Sequence, residues 1–128
     1  MTTPGERSRS FPNTLRVTRA GQFRAVFDHG RSRSDGRLVV YARPHDLDVP
    51  PRLGLVIGRR FGDAVHRNAW KRILREAFRL HRDRLPPGHD AVVLPAARGI
   101  RPSLAEATES LLRLAALAAA DYARRGPR

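Results

Sequence analysis

Residues 59–85, RRFGDAVHRNAWKRILREAFRLHRDRL, constrain the fold of this chain more than any other stretch. At about 100° per residue, a helix beginning near Ala64 gathers Val65, Ala69, Trp70, Ile73, Leu74, Ala77 and Leu80 on one half of its circumference. Asn68, Lys71, Arg72, Arg75 and Arg79 fall on an arc of the other half. Arg67, Lys71, Arg75 and Arg79 recur at every fourth residue, and such like-charge pairs cost an isolated helix about 0.2–0.5 kcal/mol each. The apolar stripe requires a sheet or a second helix to cover it, and the cationic ladder requires an anion. Glu76 projects beside Val65, so the basic arc is expected to contain no acid of its own. A merely solvated face usually interleaves both signs, and closely spaced phosphates offset this ladder better than water does. Phe78, at the edge of the arc, is expected to be core.

The charge is as uneven along the chain as around the helix. The formal balance of 128 residues is +13, yet residues 38–58 hold two basic and two acidic groups while residues 59–84 hold nine against three. A small, strongly basic domain points first to nucleic acid and second to an anionic membrane. Lys71 is the only lysine, and arginine suits phosphate forks. The absence of cysteine removes disulfides and thiolate metal sites and suits the cytoplasm. The N-terminal MTTPGERSRSFPN has no apolar run of the secretory kind, and LAALAAA is too short to span a bilayer, so a soluble protein without membrane contact is expected.

The remaining elements follow from turn and cap signals. Residues 1–14 read as a flexible basic arm, and residues 15–126 as one RNA-binding domain. Thr18 is a candidate cap for a short helix ending near His29, with Phe23 and Phe27 on one face. RSRSDGRLVVYAR reads as a hairpin turning at Asp35–Gly36, with its second strand over 37–43. RLGLVIG (52–58) and DAVVLP (90–95) read as strands, the former covered on both faces. Ser103 and Glu106 have capping-box spacing for a last helix that Gly126 stops.

At these residues a resemblance becomes specific. RRFGDAVHRNAWKRILREAFR resembles the signature of the bacterial ribonuclease P protein component, and the likeness extends through LVVYA, RLGLVIGRR and LPPGHDAVVLPAARG. The resemblance implies an α+β fold, a single-domain α-β sandwich resembling a ribosomal-protein domain with a left-handed βαβ crossover. Pattern alone would favour the usual right-handed one. It further implies a protein subunit that binds the catalytic ribonuclease P RNA and the 5′ leader of precursor tRNA, promoting Mg²⁺-dependent removal of the leader. Arg67, Asn68, Lys71, Arg72 and Arg75 match its RNA-contacting signature, with Arg59, Arg60 and Arg79 extending the basic surface. Phe23, Phe27 and Tyr41 match aromatic positions lining a leader-binding cleft. The chain departs from the pattern at Ala69, where a third basic residue is usual, and at Trp70.

Protein-borne catalysis is not legible. There is no phosphate-cradling GxxxxGK[ST], no HExxH and no clustered carboxylates of the two-metal kind, so no catalytic or metal-binding residue is assigned and Mg²⁺ is expected only in the holoenzyme. Asp63 is read as the cap of the central helix, with holding a hydrated Mg²⁺ beside RNA as the lesser alternative, and His66 as the histidine nearest its basic face. A structural, ribosomal-type RNA-binding protein is the main alternative. A DNA regulator is disfavoured because only Asn68 could read bases from this helix.

Overall fold

The computed structural model describes residues 16–17, 20–45, 49–96 and 100–128; the expected arm over 1–14 and the Thr18 cap lie outside them. A short helix, α1 (Ala20–His29), leads into the hairpin of β1 (Arg31–Ser34) and β2 (Leu38–Pro44). The hairpin turns where Gly36 adopts a φ of 84°, a conformation open to glycine. The Asp35 carboxylate closes the turn by accepting the amides of Arg37 and Leu38 at 2.9 and 3.0 Å. Then follow β3 (Arg52–Leu55), a 3-10 turn (Arg59–Phe61), α2 (Ala64–His81), β4 (His89–Pro95) and α3 (Leu104–Arg125). The capping box of Ser103 and Glu106 is present at the start of α3, and Gly126 ends it. The second predicted strand stops at Leu55 rather than Gly58. Val56 still donates to Val93 at 3.1 Å before the chain leaves the ladder.

The sheet order is β1-β2-β4-β3, antiparallel except for the parallel pair β3 and β4 that α2 connects. The hand of that connection follows from backbone direction. The Leu53 carbonyl accepts from Val17 on the outer edge of β3, while the Val56 amide points inward to β4. The Leu53 and Leu55 side chains pack in the core with α2. For L-residues this combination places β4 to the left of β3, seen from α2 with both strands running upward. The crossover is therefore left-handed, against the common rule.

Two helices, α2 and α3, cover one face of the sheet, and α1 crosses the other. The larger core joins Leu38, Val40, Ala91 and Val93 of the sheet to Trp70, Leu74, Ala77 and Phe78 of α2 and to Leu111, Leu114 and Ala115 of α3. The buried sector of α2 is rotated from the one the apolar stripe suggests. Phe78 is fully buried, whereas Val65 is 75% and Leu80 46% exposed. The stripe is wider than the contact: the sheet and α3 take in Trp70, Leu74, Ala77 and Phe78 and leave Val65 and Leu80 outside. Ion pairs and a hydroxyl hydrogen bond pin the edges: Arg33 donates to Asp121 at 2.6 and 2.9 Å, and Ser110 and Arg113 each donate to Asp35 at 2.6 Å. Burial pushes the Asp35 carboxyl up, but the hydrogen bonds from Ser110, Leu38, Arg37 and Arg113 outweigh it and hold the group at about 2.

The rotation of α2 is testable by chemical unfolding of the RNA-free protein. Phe78→Ala should cost about 3–5 kcal/mol, and Val65→Ala should stay within about 0.5 kcal/mol of wild type. Comparable losses at both positions would contradict this orientation of the helix.

Candidate nucleic-acid interface

The basic helix is positioned by the turn before it. Gly62 adopts a φ of 117°, and a Cβ there would lie 2.7 Å from that of His66, so the entry to α2 requires glycine. Asp63 caps the helix as expected, accepting the His66 amide at 3.1 Å and lying 2.9 Å from its ring Nδ1. Both contacts hold the exposed Asp63 carboxyl below its ordinary range. Arg59 and Arg60 are exposed on the 3-10 turn, with the Arg60 guanidinium 5.0 Å from the Phe61 ring. Phe61 in turn meets Trp70 edge-on at 5.9 Å, which ties the turn to the buried side of α2. Trp70, a departure from the family pattern, is thus used in packing.

On the outward side Asn68, Arg72 and Arg75 are exposed, and Arg67 and Lys71 are half-buried. None of Arg67, Lys71, Arg72 and Arg75 has a carboxylate partner among the described residues. Arg79 differs. Glu76, expected outside the basic arc, reaches it and accepts from the Arg79 guanidinium at 3.0 and 2.5 Å. That bond holds the Glu76 carboxyl below its ordinary range. The expectation of an acid-free arc is corrected at this last rung, because a glutamate side chain spans the one helical turn between them. Burial, and then the nearby charge of Arg16, lower the Arg75 pKa from its ordinary value.

The second surface lies across the sheet. Phe23, Phe27 and Tyr41 are half-buried around Val17, Val26 and Val92, and the Phe27 and Tyr41 rings meet edge to face with centroids 5.0 Å apart. They are neither wholly core nor free, since each residue is of intermediate exposure. Val39, Val56 and Leu94, on the same sheet face, are also half-exposed, because α1 covers only part of it. Sequence reasoning missed the residue that seats Phe23. A Cβ on Gly54 would come within 2.8 Å of the Phe23 ring and 2.9 Å of Val17, so the ring lies on bare backbone. A glycine inside an apolar strand was the available signal. Arg16 was missed as well, since nothing local to it marks the approach to Arg75.

No three side chains among His, Cys, Asp and Glu converge on a metal-sized site among the described residues. Asp90 is buried under a two-point contact from Arg52 at 2.6 and 2.8 Å, and Asp121 under Arg33 and Arg124. These carboxylates serve the fold. What the surface offers is Arg67, Lys71, Arg72 and Arg75 on α2, without carboxylate partners among the described residues, and half-buried aromatic residues on the opposite face of the sheet.

Comparison with known proteins is consistent with that chemistry. The family model for ribonuclease P matches residues 11–118. The ribonuclease P protein component of Oleidesulfovibrio alaskensis is 42% identical over 84 residues, covering 65% of this chain and 67% of that one. Its counterpart in Exiguobacterium sibiricum is 35% identical over 96 residues, covering 75% and 83%. Among solved structures, the ribonuclease P protein of Thermotoga maritima superimposes with a TM-score of 0.69 at 34% identity, over 78% of this chain and 94% of that one.

The unpaired and paired rungs of α2 should behave differently in the salt dependence of RNA binding. Lys71→Ala and Arg75→Ala should each lower the log–log slope by about 0.7–0.9. Glu76→Gln should release Arg79 to phosphate, tightening binding and steepening the slope. Slopes that stay unchanged in all three variants would leave α2 a solvated face.

Proposed function

The chain belongs to the ribonuclease P protein family, and from that premise we propose that α2 binds the catalytic RNA of the enzyme while the α1 face of the sheet holds the 5′ leader of precursor tRNA. As a ribonuclease P subunit it is an RNA-binding protein of tRNA processing, and the ribosomal-type alternative is not favoured. The observation that carries the finer reading is the division of the two surfaces by the sheet. Arg67, Lys71 and Arg75, at one-turn spacing and without a carboxylate partner among the described residues, fit the closely spaced phosphates of folded RNA, and ring faces fit unpaired bases.

In this reading the protein supplies binding and position. Arg67, Lys71, Arg72 and Arg75 neutralise phosphates of the catalytic RNA, with Asn68 as a hydrogen-bonding neighbour and Arg59 and Arg60 continuing the surface toward the 3-10 turn. Phe27, Tyr41 and Phe23 offer leader bases a stacking platform indifferent to sequence, since every base has a π-face. Holding the leader on the subunit that grips the catalytic RNA fixes the scissile phosphate relative to that RNA, which is catalysis by orientation. Mg²⁺ is assigned to the holoenzyme. Among the described residues no three His, Cys, Asp or Glu side chains come together as a metal site, and the buried Asp90 and Asp121 are committed to arginines. Phosphate oxygens of the RNA are the ligands of matching hardness. The site of action is assigned to the cytoplasm, and no helix among the described residues is long and apolar enough to cross a membrane.

The test is reconstitution with ribonuclease P RNA and two precursor tRNAs, one with several leader nucleotides and one with a single nucleotide. Phe27→Ala and Tyr41→Ala should weaken binding of the long-leader substrate by roughly 1–3 kcal/mol per lost stack. They should leave the short-leader substrate unaffected, and changing leader bases should matter little. A thermal melt of each variant accompanies the measurement. Equal losses on both substrates, together with a lowered melting temperature, would reduce the rings to core and remove the leader from this face.

A further inference from the structure

Arg60 and Arg101, distant in sequence, meet beside the entry to α2. Pro102 is buried and Ser103 opens the capping box of α3, so Ile100 and Arg101 just before them are held alongside the 3-10 turn. Between the two segments lies a recess of about 560 Å³. The turn gives it Arg60 and Phe61, α2 gives it His66 and Trp70, and the approach to α3 gives it Ile100 and Arg101. That volume falls within the roughly 300–1,000 Å³ of pockets that take small organic molecules. Its walls are of two kinds. Phe61, half-buried and edge-on to Trp70, and Ile100, 87% exposed, are apolar. Arg60, with its guanidinium 5.0 Å from the Phe61 ring, and Arg101 are exposed cations. No acid lines the recess, and neither arginine has a carboxylate partner among the described residues. A bare phosphate would leave the apolar wall in water, and an aromatic peptide side chain would leave the arginines without an anion. A nucleotide satisfies both walls. Unpaired RNA bases are recognised in this way, turned out onto aromatic and apolar side chains while cations grip the backbone. A paired base, stacked within its helix, does not enter such a recess.

We propose that this recess takes one unpaired nucleotide of the catalytic RNA, its base against Phe61 and Ile100 and its phosphate on Arg60 and Arg101. The proposal rests on the assignment of α2 to the catalytic RNA, and it extends that footprint beyond α2 to the approach of α3. The leader is not the occupant, because Phe61 and Trp70 belong to the α2 side of the sheet and Phe23, Phe27 and Tyr41 to the α1 side.

Binding of ribonuclease P RNA to the protein without substrate is measured across a salt series for Arg101→Gln and Ile100→Ser. The control is Arg84→Gln, which removes an exposed arginine from the 3-10 turn at the far end of α2. Both test positions are exposed, and a thermal melt of each variant should match wild type. Arg101→Gln should weaken binding roughly tenfold and lower the log–log slope by about 0.7–0.9. Ile100→Ser should weaken binding with the slope unchanged, because the contact it removes carries no charge. A photoreactive benzoylphenylalanine in place of Ile100 should crosslink, in the holoenzyme with precursor tRNA, to an unpaired nucleotide of the catalytic RNA. Binding by both variants no weaker than by Arg84→Gln would overturn the recess as a site. A loss at only one of the two positions, or crosslinks to paired nucleotides or to the leader, would overturn the unpaired nucleotide as its occupant. Lys71→Ala is the separate check on the underlying assignment. If it lowers the slope while Arg101→Gln does not, α2 still binds the RNA and the recess alone fails; if neither lowers it, the assignment of α2 fails.

Discussion

The burial of Trp70, Leu74, Ala77 and Phe78 against the sheet and α3 is the contact on which the rest of this molecule depends. It sets the rotation of α2 about its own axis, and that rotation decides which side chains face solvent. Turning the helix toward its full apolar stripe would bury Val65 and Leu80, withdraw Phe78, and swing the arginines toward the rim of α3. The same contact holds the left-handed crossover in place. Because α2 lies over the face shared with α3, the opposite face is left to α1, which is too short to cover it.

Electrostatics complete what packing begins. Carboxylates are spent inside the fold: Asp35 on the hairpin turn and α3, Asp90 on Arg52, Asp121 on Arg33 and Arg124. Each pairing fixes an edge of the sheet, and each removes an acid that could have neutralised α2. Among the described residues, Arg67, Lys71, Arg72 and Arg75 are thus left on one helix face without a carboxylate partner. A concentrated field attracts a polyanion, raises its encounter rate and fades with salt. On the other face lie the half-buried Phe23, Phe27 and Tyr41, with Phe23 seated on the Gly54 backbone, and in the proposed reading they are the uncharged half of RNA recognition.

Much of this was legible in residues 59–85, because a period of 3.6 with segregated charge permits few structures. The hairpin turn, the capping box at Ser103 and the Asp63 cap were legible for the same reason: each is a local rule satisfied by adjacent residues. What was not legible is relational. The stripe on α2 spans half the helix, so the sequence leaves open which part is buried, and the fold takes in Phe78 while leaving Val65 exposed. Glu76 was read from its angle on the wheel, whereas its side chain is long enough to reach Arg79. The seat of Phe23 on Gly54 and the approach of Arg16 to Arg75 join segments 31 and 59 positions apart, and only the folded chain brings them together. The crossover hand came from family resemblance, since hydrophobic pattern is blind to chirality.

The central claim is that the sheet separates two RNA-bearing surfaces, and the chain's lack of cysteine allows a direct measurement of it. A single cysteine can be placed at Ser32, exposed on the strand position opposite Tyr41, or at Ala64, exposed at the start of α2. Each would carry a tethered iron chelate that cleaves nearby RNA by hydroxyl radical. In the holoenzyme with a long-leader precursor tRNA, the probe at Ser32 should cut the leader, and the probe at Ala64 should cut the catalytic RNA. Cuts in the catalytic RNA alone from Ser32, or in the leader from Ala64, would contradict the assignment of the two faces.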